Sequence, residues 1–125
     1  MSYINAGILY NTTIGIGRYK EIPVVISGHI NGDLCIWNGN TSQFLQYLKS
    51  HKSEISGIEM ISNVKYTQIL SISYDHTVKI WDSEDNGFNM SQTVKFDFPM
   101  LCFTLSPNKK LIAFGGENRQ LFIYK

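Results

Sequence analysis

The chain has 125 residues, and its 43% hydrophobic, 13% aromatic and 17% charged content predicts one globular domain rather than a disordered segment. Eleven Lys and Arg against ten Asp and Glu leave a net charge of +1. This near-neutrality argues against nucleic-acid binding and against a membrane surface, since both depend on a strong basic field. Neither a secretory leader nor an apolar run of membrane-spanning length is expected from the residues. We therefore expect a cytoplasmic protein, with the nucleus left open.

Short runs of β-forming residues, separated by polar, Gly, Pro and Asn breaks, predict strands along the whole chain and almost no helix. The predicted strands include residues 2–10, 12–17, 42–49, 55–61, 90–96 and 100–105. Only the segment 42–49 has a pattern that a helix could share, and its length of about eight residues favours a strand. The sequence therefore predicts an all-β fold.

A strand–turn–strand pattern occurs three times, in residues 25–38, 69–82 and 112–125. Each copy ends at or near an aromatic anchor, and Trp37, Trp81 and Tyr124 follow one another at intervals of about 44 residues. The turns favour hairpins, because Asn31-Gly32 tolerates positive φ angles and the Asx residues Asp75 and Asn118 can bond their own backbone. Such regular spacing indicates a repeat architecture.

The best-preserved copy, SYDHTVKIWD at residues 73–82, resembles the hallmark stretch of the WD-repeat β-propeller family. Residues 50–58 are similar to the Gly-His turn of that family, with Ser50 in the Gly position. Residues 101–116 are similar to its Ser-Pro turn and the strands on either side. The resemblance implies WD-repeat β-propeller blades, about three of them, each a four-stranded antiparallel sheet, in an incomplete ring.

On this interpretation residues 1–125 form one partial propeller. Its parts are an N-terminal strand at 2–10, blade one at 12–49, blade two at 55–96 and blade three at 100–125, which lacks its fourth strand. Three blades cannot close a ring, and the outer sheets would expose apolar faces. We therefore expect protein partners that complete the propeller, as a homodimer or a hetero-assembly. A truncated product without independent function stays open as an alternative.

The residues His51, Ser71 or Ser73, and Asp75 contain the letters of a Ser-His-Asp catalytic triad. The family resemblance implies a structural tetrad instead, in which His51 bridges a serine hydroxyl and Asp75, and Trp81 closes the network. The chain has no Gly-x-Ser-x-Gly elbow to present a nucleophile. We therefore expect no catalytic residues and no enzyme activity. The flanking repeats lack a histidine at the corresponding position, and we expect them to be softer.

The resemblance also implies a non-catalytic scaffold for protein–protein interaction, since propellers bind partners through their loops. Tyr74 and Arg119 are the strongest contact candidates, because aromatic and Arg side chains are favoured at interfaces. The full candidate set is Asn31, Lys52, Tyr74, His76 and Arg119, with His76 expected to be exposed. No spacing of His or Cys, including Cys35 and Cys102, fits a metal, and we expect no cofactor.

A second resemblance suggests a different partner. Residues 27–40, with an Asn-Gly-Asp turn and Trp-Asn-Gly in place of Trp-Asp, are similar to blades of the EMAP-like microtubule-associated proteins. That resemblance implies binding to the cytoskeleton as an alternative function.

Overall fold

A computed structural model describes residues 10–62, 66–117 and 119–124. These residues form eleven β-strands and no helix, so no helix among them could cross a membrane. The all-β prediction is confirmed, and the three separate antiparallel sheets agree with WD-type blades that do not close a ring. The predicted strand at 2–10 lies outside the described residues except for Tyr10, and Asn118 lies outside them as well.

Each sheet is an antiparallel meander in which strands pair in chain order. Sheet one contains β1 (Asn11–Tyr19), β2 (Ile22–His29), β3 (Leu34–Asn38) and β4 (Phe44–Leu48). Sheet two contains β5 (Ile55–Ser62), β6 (Thr67–Ser73), β7 (Thr77–Glu84) and β8 (Gly87–Lys95). Sheet three contains β9 (Met100–Leu105), β10 (Ile112–Gly116) and β11 (Leu121–Tyr124).

The three hairpin turns between β2 and β3, β6 and β7, and β10 and β11 share one backbone feature. Gly32, His76 and Arg119 take the same position in their turns, and their φ angles are +93°, +75° and +71°. A left-handed residue at this point gives the hairpin the twist that its strands require. Only the first turn uses glycine, which adopts this conformation without steric cost.

The two faces of each sheet differ in character. We call the face that carries Trp37, Trp81 or Tyr124 the aromatic face of its sheet, and the opposite face the reverse face. The reverse face of sheet one packs on the aromatic face of sheet two, where a Cβ atom on Gly15 would lie 2.8 Å from Ile58. The reverse face of sheet two packs in the same way on the aromatic face of sheet three.

Two hydrophobic cores occupy these two interfaces. The first contains Ile26, Leu34 and Ile36 of sheet one, packed on Ile69 and Trp81 of sheet two. The second is smaller and richer in aromatic residues, with Ile72 and Val78 packed near Met100 and Phe114. Each fully buried side chain of this size contributes about 1.5–3 kcal/mol to stability. These interfaces hold the hairpin turns of all three sheets at the same end of the molecule.

Candidate functional site: the hairpin face

The candidate site is the end of the molecule that carries these turns, and we call it the hairpin face. It consists of the turns that contain residues 30–33, 74–76, and 117 with 119–120, and of the connections at 49–54 and 96–99. Each connection leaves one sheet and enters the next, so it lies beside the turns of both. The site is therefore built from loops that the stacked sheets position.

Repeated backbone hydrogen bonds fasten each connection to its two neighbouring turns. The N–H of His51 donates to the carbonyl of Gly32 at 2.7 Å, and the N–H of Phe96 donates to the carbonyl of His76 at 2.8 Å. On the other side, Tyr74 donates to Glu54 at 3.2 Å and Glu117 donates to Pro99 at 3.0 Å. The same pattern in both connections places Phe96 in the position that His51 occupies one repeat earlier.

A chain of side-chain hydrogen bonds reinforces the first connection. The indole Nε1 of Trp81 donates to Ser71 Oγ at 3.2 Å, and Ser71 Oγ lies 2.8 Å from His51 Nε2. His51 Nδ1 lies 3.0 Å from a carboxylate oxygen of Asp75. Because the Asp75 carboxylate can only accept a hydrogen bond, the proton of the neutral imidazole is assigned to Nδ1, and Nε2 accepts from the Ser71 hydroxyl.

Burial and hydrogen bonding shift the pKa values of both titratable members. Burial lowers the pKa of His51, and this effect outweighs the opposing attraction of Asp75. Burial alone would raise the pKa of Asp75, but hydrogen bonds from Thr77 and from the backbone N–H of Lys52, together with His51, lower it. At neutral pH the pair is therefore a neutral imidazole that donates to a carboxylate.

The structure distinguishes the two serines that the sequence left open. Ser71 contacts His51, whereas the Ser73 hydroxyl donates to the backbone carbonyls of Ser53 and Glu54 at 2.9 Å each. Sequence reasoning missed Thr77, whose hydroxyl donates to Asp75 at 2.6 Å and lies 2.9 Å from His51 Nδ1. A hydroxyl residue two positions after a turn aspartate is the signal that could have identified it.

The Ser71–His51–Asp75 chain has the connectivity of a catalytic triad but not its accessibility. Ser71 is 0% exposed, and its oxygen also accepts the Trp81 indole N–H. A substrate cannot reach this hydroxyl. Among the described residues, no group of three His, Cys, Asp or Glu side chains is placed to hold a metal ion.

The first sheet contains a related network that the sequence did not reveal. Trp37 Nε1 donates to Ser27 Oγ at 3.0 Å, and this oxygen lies 2.9 Å from His29 Nε2. Here the imidazole comes from β2 of the same sheet, two residues after the serine, rather than from a preceding connection. The carboxylate of Asp33 is bonded by Tyr47 and, at 3.3 Å, by the backbone N–H of Ser50. Ser50 thus joins the first turn to the connection that carries His51.

In the third sheet, aromatic rings occupy the positions of the polar network. Phe96, Phe114 and Tyr124 correspond to His51, Ser71 and Trp81 in register and connectivity. The ring centroids lie 5.8 Å apart for Phe96 and Phe114, and 5.6 Å apart for Phe114 and Tyr124. Packed rings at such distances stabilise each other beyond their buried area. The contact between the connection and the sheet that it enters is therefore polar in sheet two and apolar in sheet three.

The five predicted contact residues all lie on the hairpin face. Asn31, Lys52, Tyr74 and Arg119 are exposed, and Tyr74 is 41% exposed. His76, expected to be exposed, is half-buried, because its left-handed turn lies beneath the connection that contains Phe96. The fold thus gathers residues from three repeats onto one surface.

Stacked antiparallel sheets, joined by connections that bond to the hairpin turns, define a protein built of WD-type propeller blades. Comparison with known families agrees, because residues 42–82 match the family described as "WD domain, G-beta repeat". The match runs from the last strand of sheet one through the first three strands of sheet two. The match supports the resemblance to the WD-repeat family that the sequence pattern predicted.

Comparison with curated proteins gives relatives of several kinds. Over 107 residues, or 85% of this chain, it is 30% identical to "Eukaryotic translation initiation factor 3 subunit I" of Nematostella vectensis. It is 36% identical over 86 residues to "Maintenance of telomere capping protein 5" of Saccharomyces cerevisiae, and 25% identical over 126 residues to "Protein transport protein sec13" of Emericella nidulans. The matches cover 66% and 95% of this chain, respectively.

All three relatives are longer than this chain. It spans 32% of the translation-factor subunit, 7% of the telomere protein and 40% of the transport protein. The similarity therefore concerns the repeat unit and not the whole of any relative.

Proposed function

We propose that this chain is a non-catalytic scaffold for protein–protein interaction that binds a protein partner through the hairpin face. The observation that carries the proposal is that the hairpin face presents the left-handed turn residues His76 and Arg119 on the same surface as Tyr74. The corresponding residue of the first turn is Gly32.

A left-handed residue with a side chain costs about 1–2 kcal/mol more than glycine. Strain of this kind is found at binding sites, where the side chain has a use that offsets its cost. It also occurs in turns away from the hairpin face, at Lys20, Glu21, Ser42 and Lys109, so it supports the proposal together with the exposed side chains around it. His76 and Arg119 lie on the surface that also presents Tyr74 and Lys52. An imidazole, a guanidinium, a phenol and an ammonium group together suit a partner surface with acidic and aromatic residues.

The buried network supports a structural role for the triad-like residues. We propose that His51, Ser71, Asp75 and Trp81 serve to fix the connection at 49–54, and that Thr77 belongs to the same set. A satisfied buried network makes the loops beside it rigid, and rigid loops bind a partner at a lower entropic cost.

The open outer sheets support the further proposal that a second chain or additional blades complete the ring. The relatives are named for translation initiation and for protein transport, which agrees with a role in complexes with other proteins. We place this scaffold in the cytoplasm, with the nucleus left open. Binding to microtubules, which the EMAP-like resemblance implies, stays a prediction that co-sedimentation with polymerised microtubules tests.

The central experiment compares proteins captured by the wild-type chain with those captured by a double variant, His76→Gly and Arg119→Gly. These substitutions leave the turns intact, because glycine adopts the same conformation. We expect loss of the specific partner together with unchanged or slightly higher thermal stability. Ser91→Gly, at an exposed position of β8, is the matched control and should retain the partner. Equal capture by all three proteins would overturn the role of the hairpin face.

A further inference from the structure

The two outer surfaces of the sheet stack are of opposite kinds. Sheet one turns its aromatic face outward, since Gly15 and Gly17 of its reverse face point toward sheet two. Sheet three turns its reverse face outward, since its aromatic face, with Phe103, contacts Gly57 of sheet two. Both interfaces between the described sheets join a reverse face to an aromatic face. The stack therefore ends in the two halves of one more interface of the same kind.

The outward aromatic face of sheet one is apolar and open. Ile14 and Ile16 on β1 are 62% and 70% exposed. Their counterparts in sheet two, Ile58 and Met60, pair with β6 in the same way and are each only 6% exposed, because sheet one covers them. Positions that are buried in the internal interface are thus exposed here.

The outward reverse face of sheet three shows the same contrast. Leu121 and Ile123 on β11 are 69% and 60% exposed. The corresponding residues of sheet one, Leu34 and Ile36, are 0% and 1% exposed beneath the aromatic face of sheet two. Large apolar residues at this exposure on a flat sheet mark an interaction surface.

We propose that a second copy of this chain covers both surfaces, with sheet three of each copy packed on sheet one of the other. This deepens the proposed function, because it rests on a scaffold that needs further blades and names their source. A contact between unlike faces either closes a ring or forms an open filament. Two copies of three sheets give six blades, which lies within the range of about four to eight that closes.

The interface between sheets two and three also predicts which residues meet between copies. Gly57 pairs with Ile72 and contacts Phe103, and Phe103 pairs with Phe114. Cys102 holds the register position of Gly57 in sheet three, and Ile14 holds that of Phe103 in sheet one. Cys102 of one copy therefore lies against Ile14 of the other. Isoleucine is smaller than phenylalanine, which leaves space for the thiol.

The first arm of the test measures mass by sedimentation equilibrium on the full chain. The wild-type protein should have twice the mass of the 14.3 kDa chain, and Ile14→Asp and Ile123→Asp should each give monomers that keep their β-sheet circular dichroism. Mixing the two variants restores one native interface and should return part of the dimer. Met90→Asp, at an exposed position of the central sheet, is the control and should stay dimeric.

The second arm uses disulfide formation under mild oxidation. The Ile14→Cys variant should form a covalent dimer through the native Cys102, and adding Cys102→Ser should abolish it. The second-copy assignment would be overturned by a folded wild-type monomer or by a dimer that persists in both aspartate variants. It would also be overturned if the Ile14→Cys variant did not cross-link. None of these results affects capture of a partner through the hairpin face, which tests the proposed function separately.

Discussion

His51 Nδ1 and Asp75 Oδ2 lie 3.0 Å apart, although 24 residues separate them in the chain. His51 belongs to the connection that enters sheet two, and Asp75 belongs to the turn between the two central strands of that sheet. Their hydrogen bond ties an entry loop to a hairpin turn within one blade. Because the His51 backbone also bonds to Gly32 at 2.7 Å, the same residue ties sheet one to sheet two. The stability of this joint determines how rigid the hairpin face is.

Thr77→Val should destabilise the fold by about 2 kcal/mol. The substitution keeps the shape of the side chain but removes the hydroxyl that donates to Asp75 at 2.6 Å, and hydrogen bonds to charged groups contribute about 1.5–3 kcal/mol. Urea unfolding measures the loss. Thr93→Val on β8, where the hydroxyl donates to the Met90 sulfur at 3.4 Å and to no charged group, is the matched control and should change stability by less than about 0.5 kcal/mol. Equal effects of the two substitutions would contradict the role of Thr77.

The stability of the fold should decrease as pH falls below about 6.5, the ordinary pKa of histidine. The pKa of His51 is lowered by burial, so below that pH the unfolded chain binds a proton that the folded chain does not. Below about pH 4 the lowered pKa of Asp75 adds a second loss in the same direction. Urea midpoints between pH 5 and 8 test the first step, and His51→Gln should flatten this part of the profile. A wild-type stability profile that is already flat between pH 5 and 8 would contradict the assignment of this pH dependence to His51.

Gly32→Ala should cost about 2–4 kcal/mol, more than a left-handed alanine alone would. A Cβ atom at this position would lie 2.2 Å from the carbonyl oxygen of His51, so the connection must move and its backbone bonds must weaken. His76→Gly, at the same turn position of sheet two, should instead stabilise by about 0.5–1 kcal/mol. Thermal unfolding of the two variants should shift in opposite directions, and a shift in the same direction would argue against this account of the turns.

Phe96→Ala should destabilise the protein by about 3 kcal/mol, with its effect centred on sheet three. The ring of Phe96 contacts the rings of Phe114, Phe122 and Tyr124, and none of these has a polar network to replace the lost packing. Hydrogen exchange should show faster opening of β10 and β11 than of β6 and β7. Uniform acceleration of all strands would mean that the cluster is not a local joint.

The thiol of Cys35 should be protected from alkylation in the folded protein and should react on unfolding. Burial, together with the negative charge of Asp33, raises the pKa of Cys35, so little thiolate forms near neutral pH. The Cys102→Ser variant leaves Cys35 as the single thiol, which makes the rate simple to measure by mass spectrometry. Fast alkylation without denaturant would show that the side chains that bury Cys35 move apart in the folded protein.

The repeat could be predicted because it depends on local chemistry. Trp37, Trp81 and Tyr124 hold equivalent register positions in their strands. Turn residues such as Gly32 and Asp75 fix hairpins that need no distant contact. The alternating pattern of each strand then required stacked sheets, since an isolated sheet would leave one apolar face in water. Strand existence and order therefore followed from the residues alone. The choice of His51 and Asp75 as a pair followed from the family resemblance.

The remaining features depend on distances between residues far apart in the chain, and only the tertiary structure decided them. It selected Ser71 over Ser73, because Ser71 lies beside the imidazole of His51, whereas Ser73, two residues further along β6, bonds to the backbone of the connection. It added Thr77 to the network and gave sheet one its own histidine, His29, from an adjacent position on β2.

The structure also decided that Phe96 replaces His51 in the third repeat, a substitution hidden in the sequence because the connection at 96–99 is two residues shorter than the one at 49–54. The sequence by itself determined which strands form, because strand pairing within a hairpin is local. The tertiary structure determined which faces are buried and which stay open, because that depends on how many sheets stack and in which order.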